Sequence, residues 1–202
     1  MAQRLFPMDI GHVDGAANLH AAAFPDFFLT ALGTRFLRRL YRAIVEADDG
    51  FGYVIRDEVT GLVVGLAAGT AGPESSYARL FRTRVWSFGW AALPTLLARP
   101  RLLPMLLRRL RAVGHPPPGG RLAYLASIAV SPDVREGGLG RVLLDGWSAE
   151  ARRRLASGLY LTTDAEGNEA ALAFYERCGL HLESSFESFE GRPMHRYVLE
   201  FD

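Results

Sequence analysis

The chain has 202 residues, 49% hydrophobic and 11% aromatic, with a formal net charge of +1; that suits one domain with a true core and excludes a disordered chain. All 23 basic residues are arginine, which excludes lysine Schiff bases, lysine-anchored pyridoxal phosphate and a complete Walker-A loop. A single cysteine, Cys178, excludes an internal disulfide and a multi-cysteine metal site and fits a reducing compartment, and the five histidines form no HExxH or H-x3-H pair, so no metal is expected.

In chain order, Gln3 to Pro7 reads as an extended start. Asp9 to Phe24 and Leu29 to Glu46 read as two amphipathic helices, separated by Pro25 and Asp26. Phe51 to Arg56 and Leu62 to Ala71 read as a β-hairpin. Arg121 to Val130 is a strand, Leu139 to Ala156 a helix, Gly158 to Thr163 a strand and Glu169 to Arg177 a helix stopped by Gly179. Leu182 to Phe189 and Met194 to Phe201 close the chain as two strands. No G-x-S-x-G elbow occurs. No charged n-region followed by an apolar run opens the chain, so a secreted product is not expected.

Residues 73–120 form a separate unit. From Ser75 to Pro132 there are nine arginines and no acidic residue, while the rest of the chain carries a net −8. Tyr77 to Ala98 and Leu102 to Val113 are helical in composition, with Trp86, Phe88, Trp90, Leu93, Leu96 and Leu97 flanked by arginine, and Pro116 to Gly120 is the linker back. Its longest uncharged run, Val85 to Ala98, has 14 residues, short of the roughly 20 that span a bilayer. Three readings stand: an interfacial membrane anchor, a lid over a substrate site, or helices packed on the core or on a second subunit in a homodimer. Nucleic acid is not an expected partner, because the arginines are interleaved with bulky aliphatics and proline.

The chemistry concentrates after the third strand. Ile128, Ala129 and Val130 lead through Ser131-Pro132-Asp133 into Arg135, Glu136, Gly137, Gly138, Leu139, Gly140 and Arg141, where a helix begins. A glycine-rich turn opening a helix directs unpaired N–H groups and the positive end of the helix dipole at a ligand, which makes an anion site. A Rossmann fingerprint fails, because the third glycine position falls on Leu143.

Arg135-x-x-Gly138-x-Gly140 after a strand resembles the acetyl-coenzyme A pyrophosphate loop of the GNAT superfamily of N-acetyltransferases. Downstream, Asn168, then Ala-Leu-Ala-Phe-Tyr175-Glu-Arg-Cys-Gly179, resembles the family's asparagine-to-tyrosine helix; together the two motifs cover about 65 residues in the family's order. The resemblance implies an α/β fold: a central mixed, mostly antiparallel sheet whose strands splay at the cofactor site, flanked by helices, here with a helical insertion. It implies acetyl-CoA as co-substrate, with no metal. Ile128, Ala129 and Val130 match the strand that pairs with the pantetheine arm, and Arg135 to Arg141 match the phosphate cradle. Asn168 matches an asparagine that contacts the arm, and Tyr175 matches the tyrosine that protonates the departing thiolate, a task that suits a phenol neutral at pH 7.

The general base departs from the pattern: the strand before Asn168 reads Leu161-Thr162-Thr163-Asp164, so the family's glutamate is absent or displaced to Asp164. Asp26, His20, Glu46 and a water chain are the alternatives. Cys178 reads as a small core hydrophobe. The acceptor pocket is expected at the loop between the first two helices, with Phe24, Phe27 and Phe28. The phrase Ala23-Phe-Pro-x-Phe-Phe-Leu-Thr-x-Leu-Gly33, with the arginine-rich, Trp-containing insertion, resembles members associated with bacterial surface-polysaccharide synthesis, which implies an amino-sugar or lipid-linked acceptor and a cytoplasmic enzyme peripheral to the membrane. Three functions follow: acetyl transfer to the amine of a small molecule, long-chain acyl transfer from an acyl carrier protein, or a non-catalytic acyl-CoA-binding module.

Overall fold

The computed structural model describes residues 3–72, 91–98, 100, 121–134, 137–188 and 191–201. Strand β1 (Gln3–Pro7) leads through a tight turn at Ile10–His12 into α1 (Val13–Ala23), α2 (Phe28–Ala31) and α3 (Thr34–Val45). Strands β2 (Gly50–Asp57) and β3 (Val63–Thr70) form the expected hairpin. A helix over 91–98, α4, precedes β4 (Leu122–Val130). Then come α5 (Leu139–Arg153), β5 (Gly158–Asp164), α6 (Glu169–Arg177), β6 (His181–Glu187) and β7 (Pro193–Glu200).

The strands form one seven-stranded sheet in the order β1-β2-β3-β4-β5-β7-β6, antiparallel except for β4 with β5. Side chains alternate across it, as a pleated strand requires. Val54 and Leu66 join Val13, Ala16, Leu37 and Tyr41 of α1 and α3 on one face. Their neighbours Ile55 and Ala67 join Leu143, Leu144 and Trp147 of α5 and Tyr175 of α6 on the other. The sheet is therefore a partition: the side covered by α5 and α6 and the side covered by α1 and α3 communicate only where strands part.

They part between β4 and β5. Parallel pairing joins Leu122, Ala123 and Tyr124 to Gly158, Leu159 and Tyr160; past Tyr124 and Tyr160 the described residues of the two strands form no further pairs. A bulge prepares this split. Ala68 pairs with Ser127 and Gly69 with Leu125, which leaves Ala126 as the extra residue of β4. Gly69 is required there, because a Cβ on it would stand 2.0 Å from the Tyr124 carbonyl oxygen.

One expected helix is two. The apolar pattern of Leu29 to Glu46 breaks at Gly33, whose φ of +94° only glycine adopts without strain. Phe28–Ala31 forms a single turn before it and Thr34 starts α3 after it. The other expected elements stand within a few residues of their places.

Most of the 73–120 unit lies outside the described residues. Within it, α4 lays Ala92 and Leu96 against Phe28, Leu32 and Phe36 of α2 and α3, and leaves Leu97 exposed.

Candidate functional site

The split gives β4 an unpaired edge at Ile128, Ala129 and Val130. These residues pair on one side with Ala67, Leu66 and Gly65 of β3. Backbone groups point alternately to the two sides of a strand, so half of theirs face the gap toward β5. Beyond Val130 the chain crosses a turn at Pro132–Val134 and enters α5 through Gly137 and Gly138, with φ of +106° and +73°. A Cβ at either would meet nothing within 4 Å, so these glycines serve the left-handed backbone and the space beside them is open. The first helical bonds run from the N–H groups of Arg141 and Val142 to the Gly138 carbonyl, at 2.9 and 3.2 Å. The N–H groups of Leu139 and Gly140 precede them, in the first turn that has no helical carbonyl to reach. Gly140 also serves packing: its missing Cβ makes room for the Phe174 ring at 3.1 Å, a helix-to-helix contact. Arg141 is half exposed and gives its Nε–H to both carboxylate oxygens of Asp145 at 2.9 Å. Arg135 and Glu136 lie outside the described residues.

On the same side, three polar side chains are strung along the β5 lip of the gap. The Asn168 amide donates to Thr163 Oγ1 at 2.5 Å and to the Asp164 carbonyl at 3.4 Å. The Asn168 carbonyl accepts the N–H groups of Ala171 and Leu172, so this residue both caps α6 and fixes β5. Thr163 is hydrogen-bonded to the Tyr175 hydroxyl in turn. Tyr175 is 8% exposed, and burial pushes its pKa up to about 12. It therefore holds its proton at neutral pH. Burial also pushes the Cys178 thiol up, against the opposing influence of Arg141, so the sulfur stays a thiol.

The α1–α3 side of the gap carries a different set. The Tyr41 hydroxyl, fully buried, shares a hydrogen bond with His20 Nδ1 at 2.6 Å, and Ser127 on β4 is hydrogen-bonded to Tyr41. Burial lowers the His20 pKa to about 4 and drives that of Tyr41 far above the usual phenol range, so the pair is neutral. The His20 ring contacts Phe24, which contacts Phe27, with centroids 5.0 and 5.1 Å apart. The Arg192 guanidinium lies 5.4 Å from the Phe27 ring and is paired with Asp164 at 2.9 Å. One arginine from the β6–β7 turn thus clasps the α1–α2 loop and the end of β5. Phe28 turns away from this group into the α2–α3–α4 cluster.

Of the candidate bases, Asp164 is engaged by Arg192 and His20 by Tyr41. Asp26 is exposed. Glu46 pairs with Arg42 past the last turn of α3, the end opposite the aromatic loop. Sequence reasoning missed Thr163, Tyr41, Ser127 and Arg192. Strand alternation alone could have found Thr163, because it falls on the Leu159–Leu161 face, which packs against Tyr175.

Among the described residues no three His, Cys, Asp or Glu side chains group as metal ligands, and no helix is long and apolar enough to cross a membrane. The family model described as "Acetyltransferase (GNAT) family" matches residues 14–180. No curated protein matches the sequence. Solved structures share the fold at low identity. The ribosomal-protein-S18-alanine N-acetyltransferase of Escherichia coli is 15% identical with a TM-score of 0.61, over 98% of this chain and 94% of that one. A GNAT-family acetyltransferase of Bacillus cereus is 11% identical with a TM-score of 0.61, over 99% and 98%. The aminoglycoside N-acetyltransferase AAC(6′)-Iy, solved with CoA, is 11% identical with a TM-score of 0.63, over 93% of both chains.

Proposed function

The chain belongs to the acetyltransferase (GNAT) family, and from that premise we propose that it transfers the acetyl group of acetyl-CoA to the primary amine of a small molecule by direct attack in a ternary complex. The observation that carries this reading is the β4–β5 gap, with a buried protonated phenol on one side of the sheet and an aromatic, clasped chamber on the other.

The residues fit the co-substrate. The space a Cβ would fill at Gly137 and Gly138 is open, and the first-turn N–H groups of α5 lie next to it. In this reading the turn from Arg135 to Arg141 holds the pyrophosphate. The free edge of Ile128, Ala129 and Val130 holds the pantetheine arm and polarises the thioester carbonyl through a backbone N–H. Bound acetyl-CoA supplies the activated acetyl thioester. Asn168 and Thr163 act together: the Thr163 oxygen accepts from Asn168, which leaves its own proton to give to Tyr175 Oη. The Tyr175 proton is then directed outward and passes to the departing sulfur.

The amine loses its proton to water before attack, because Asp164 is held by Arg192, His20 by Tyr41, and Glu46 by Arg42 at the far end of α3. Proximity in the gap and the fixed backbone dipole then supply most of the rate. A small acceptor is favoured over a protein N-terminus by the Arg192 clasp, which ties Phe27 to Asp164 across the chamber. The test is product analysis by mass after incubation with acetyl-CoA and a library of amines, amino sugars and short peptides. Stoichiometric CoA release with one acetylated small amine is the expected result; acetylation of peptides alone overturns the small-molecule reading.

A further inference from the structure

Arg196 on β7 is 6% exposed, and its charge is only partly used. Its Nη1 is paired with Glu183 Oε2 at 3.0 Å, at the bulge residue of β6. Its Nε and Nη2 are buried and have no hydrogen-bond partner among the described residues. Those two N–H groups lie side by side on one edge of the guanidinium plane, the edge that meets both oxygens of a carboxylate. A buried arginine with that whole edge unmet is costly unless something else occupies it.

The position gives this edge a use. Arg196 pairs across β7 with Thr162 of β5, and its guanidinium lies over the Tyr160 ring at 4.4 Å. Tyr160 in turn stacks on Tyr124 at 4.8 Å. Tyr124 and Tyr160 are the last pair before β4 and β5 separate. The guanidinium therefore stands above the apex of the gap. Strand alternation puts Arg196 on the same face as Thr162 and Asp164, the face of the Arg192 clasp.

We propose that the Nε–Nη2 edge of Arg196 seats a carboxylate of the acceptor, so that the substrate carries an amine and a carboxylate on one skeleton. This rests on the amine-acylation reading above. A carboxylate at the apex and an amine further up the gap, two strand residues away, are separated by roughly 7 Å. That spacing suits 4-aminobutanoate or a 2-amino-2-deoxyuronic acid and is too long for an α-amino acid. Glu183 already draws on the same guanidinium, which favours a monoanionic carboxylate over a phosphate dianion.

The experiment compares matched probes on the full chain: 4-aminobutanoate against butylamine, 2-amino-2-deoxyglucuronate against glucosamine, with glycine and phosphoethanolamine as further arms. Turnover is followed with acetyl-CoA, and binding by calorimetry on protein saturated with CoA. The expected result is at least a tenfold preference for the carboxylated member of a pair in both kcat/KM and Kd. Arg196→Lys keeps a cation for Glu183 and lacks the fork; Arg196→Gln lacks both. Each should bring the pair to within about threefold, while undiminished acetyl-CoA binding shows that the variant is folded. Equal handling of both members, a preference that survives in Arg196→Lys, or phosphoethanolamine ahead of the carboxylates overturns the proposal. If the carboxylated probes bind in an Arg196-dependent way and none is acetylated, the subsite stands and the amine-acylation reading falls.

Discussion

The two sides of the sheet are built in different ways. The α5–α6 side takes its working groups from two short runs of chain, the turn from Gly137 to Arg141 and the helix from Asn168 to Tyr175, and relies on backbone N–H groups and one phenol. The α1–α3 side draws on α1, α3, β4, β5, β7 and two loops, and relies on side chains already bonded to one another: His20 with Tyr41, Asp164 with Arg192, Arg196 with Glu183. A site that holds one constant ligand needs little more than a shaped backbone. In the reading proposed above, the side that selects among amines is a mosaic of side chains.

That contrast is open to direct attack. The largest effect is expected at the cradle. Gly138→Trp sets a side chain into open space at a left-handed position, so the fold should survive at a cost of about 1–2 kcal/mol. Acetyl-CoA affinity, read by calorimetry, should fall at least ~10³-fold, about 4 kcal/mol. Unchanged affinity in a folded variant would remove the cradle from the site.

Acid should strike the opposite side. His20 is neutral in the fold, with a pKa of about 4 against about 6.5 in the unfolded chain. The unfolded chain therefore binds the extra proton first. Its contribution is full above about pH 6.5 and is lost as pH falls toward 4, by up to about 3 kcal/mol. Urea unfolding at pH 7 and pH 4.5 measures this, and His20→Gln should flatten the difference. Hydrogen exchange should show α1 loosening before α5.

Next comes Tyr175→Phe, which keeps the ring and deletes the donor. A fall of about 10²-fold in kcat with little change in the KM for acetyl-CoA is expected; a rate within twofold of the parent assigns Tyr175 to packing. The smallest effect belongs to the clasp. Arg192→Ala should raise the acceptor KM about tenfold and leave acetyl-CoA affinity alone, since it releases Phe27 and Asp164. A variant in which both constants move together would show that the two sides are coupled.

Legibility in the sequence follows the same division. The glycine turn and the Asn168–Tyr175 helix are contiguous, so their chemistry is visible as spacing. Tyr160, Thr162 and Arg196 come to one face only through strand register, which no local pattern reveals. Gly33 was hidden because the apolar positions of α2 and α3 continue one helical stripe through it: Leu29 and Leu32 before, Phe36 and Leu40 after. The packing role of Gly140 is hidden in the sequence, because its neighbour in space, Phe174, is 34 positions away.

The extra residue in β4 sets the phase of everything beyond it. Before the bulge, Leu125 points toward α5; after it, Ser127 points toward Tyr41 and Ile128 toward α5 again. Had Ala126 been paired as an ordinary strand residue, the alternation would be inverted from Ser127 onward. The hydroxyl would be buried among the leucines of α5, and isoleucine and valine would face the tyrosine–histidine pair. Substitution along this strand changes one contact at a time, whereas closing the bulge with every residue kept in the ladder would exchange the linings of the two faces at a stroke. A strand of this kind tolerates drift in its letters more readily than a slip in its register.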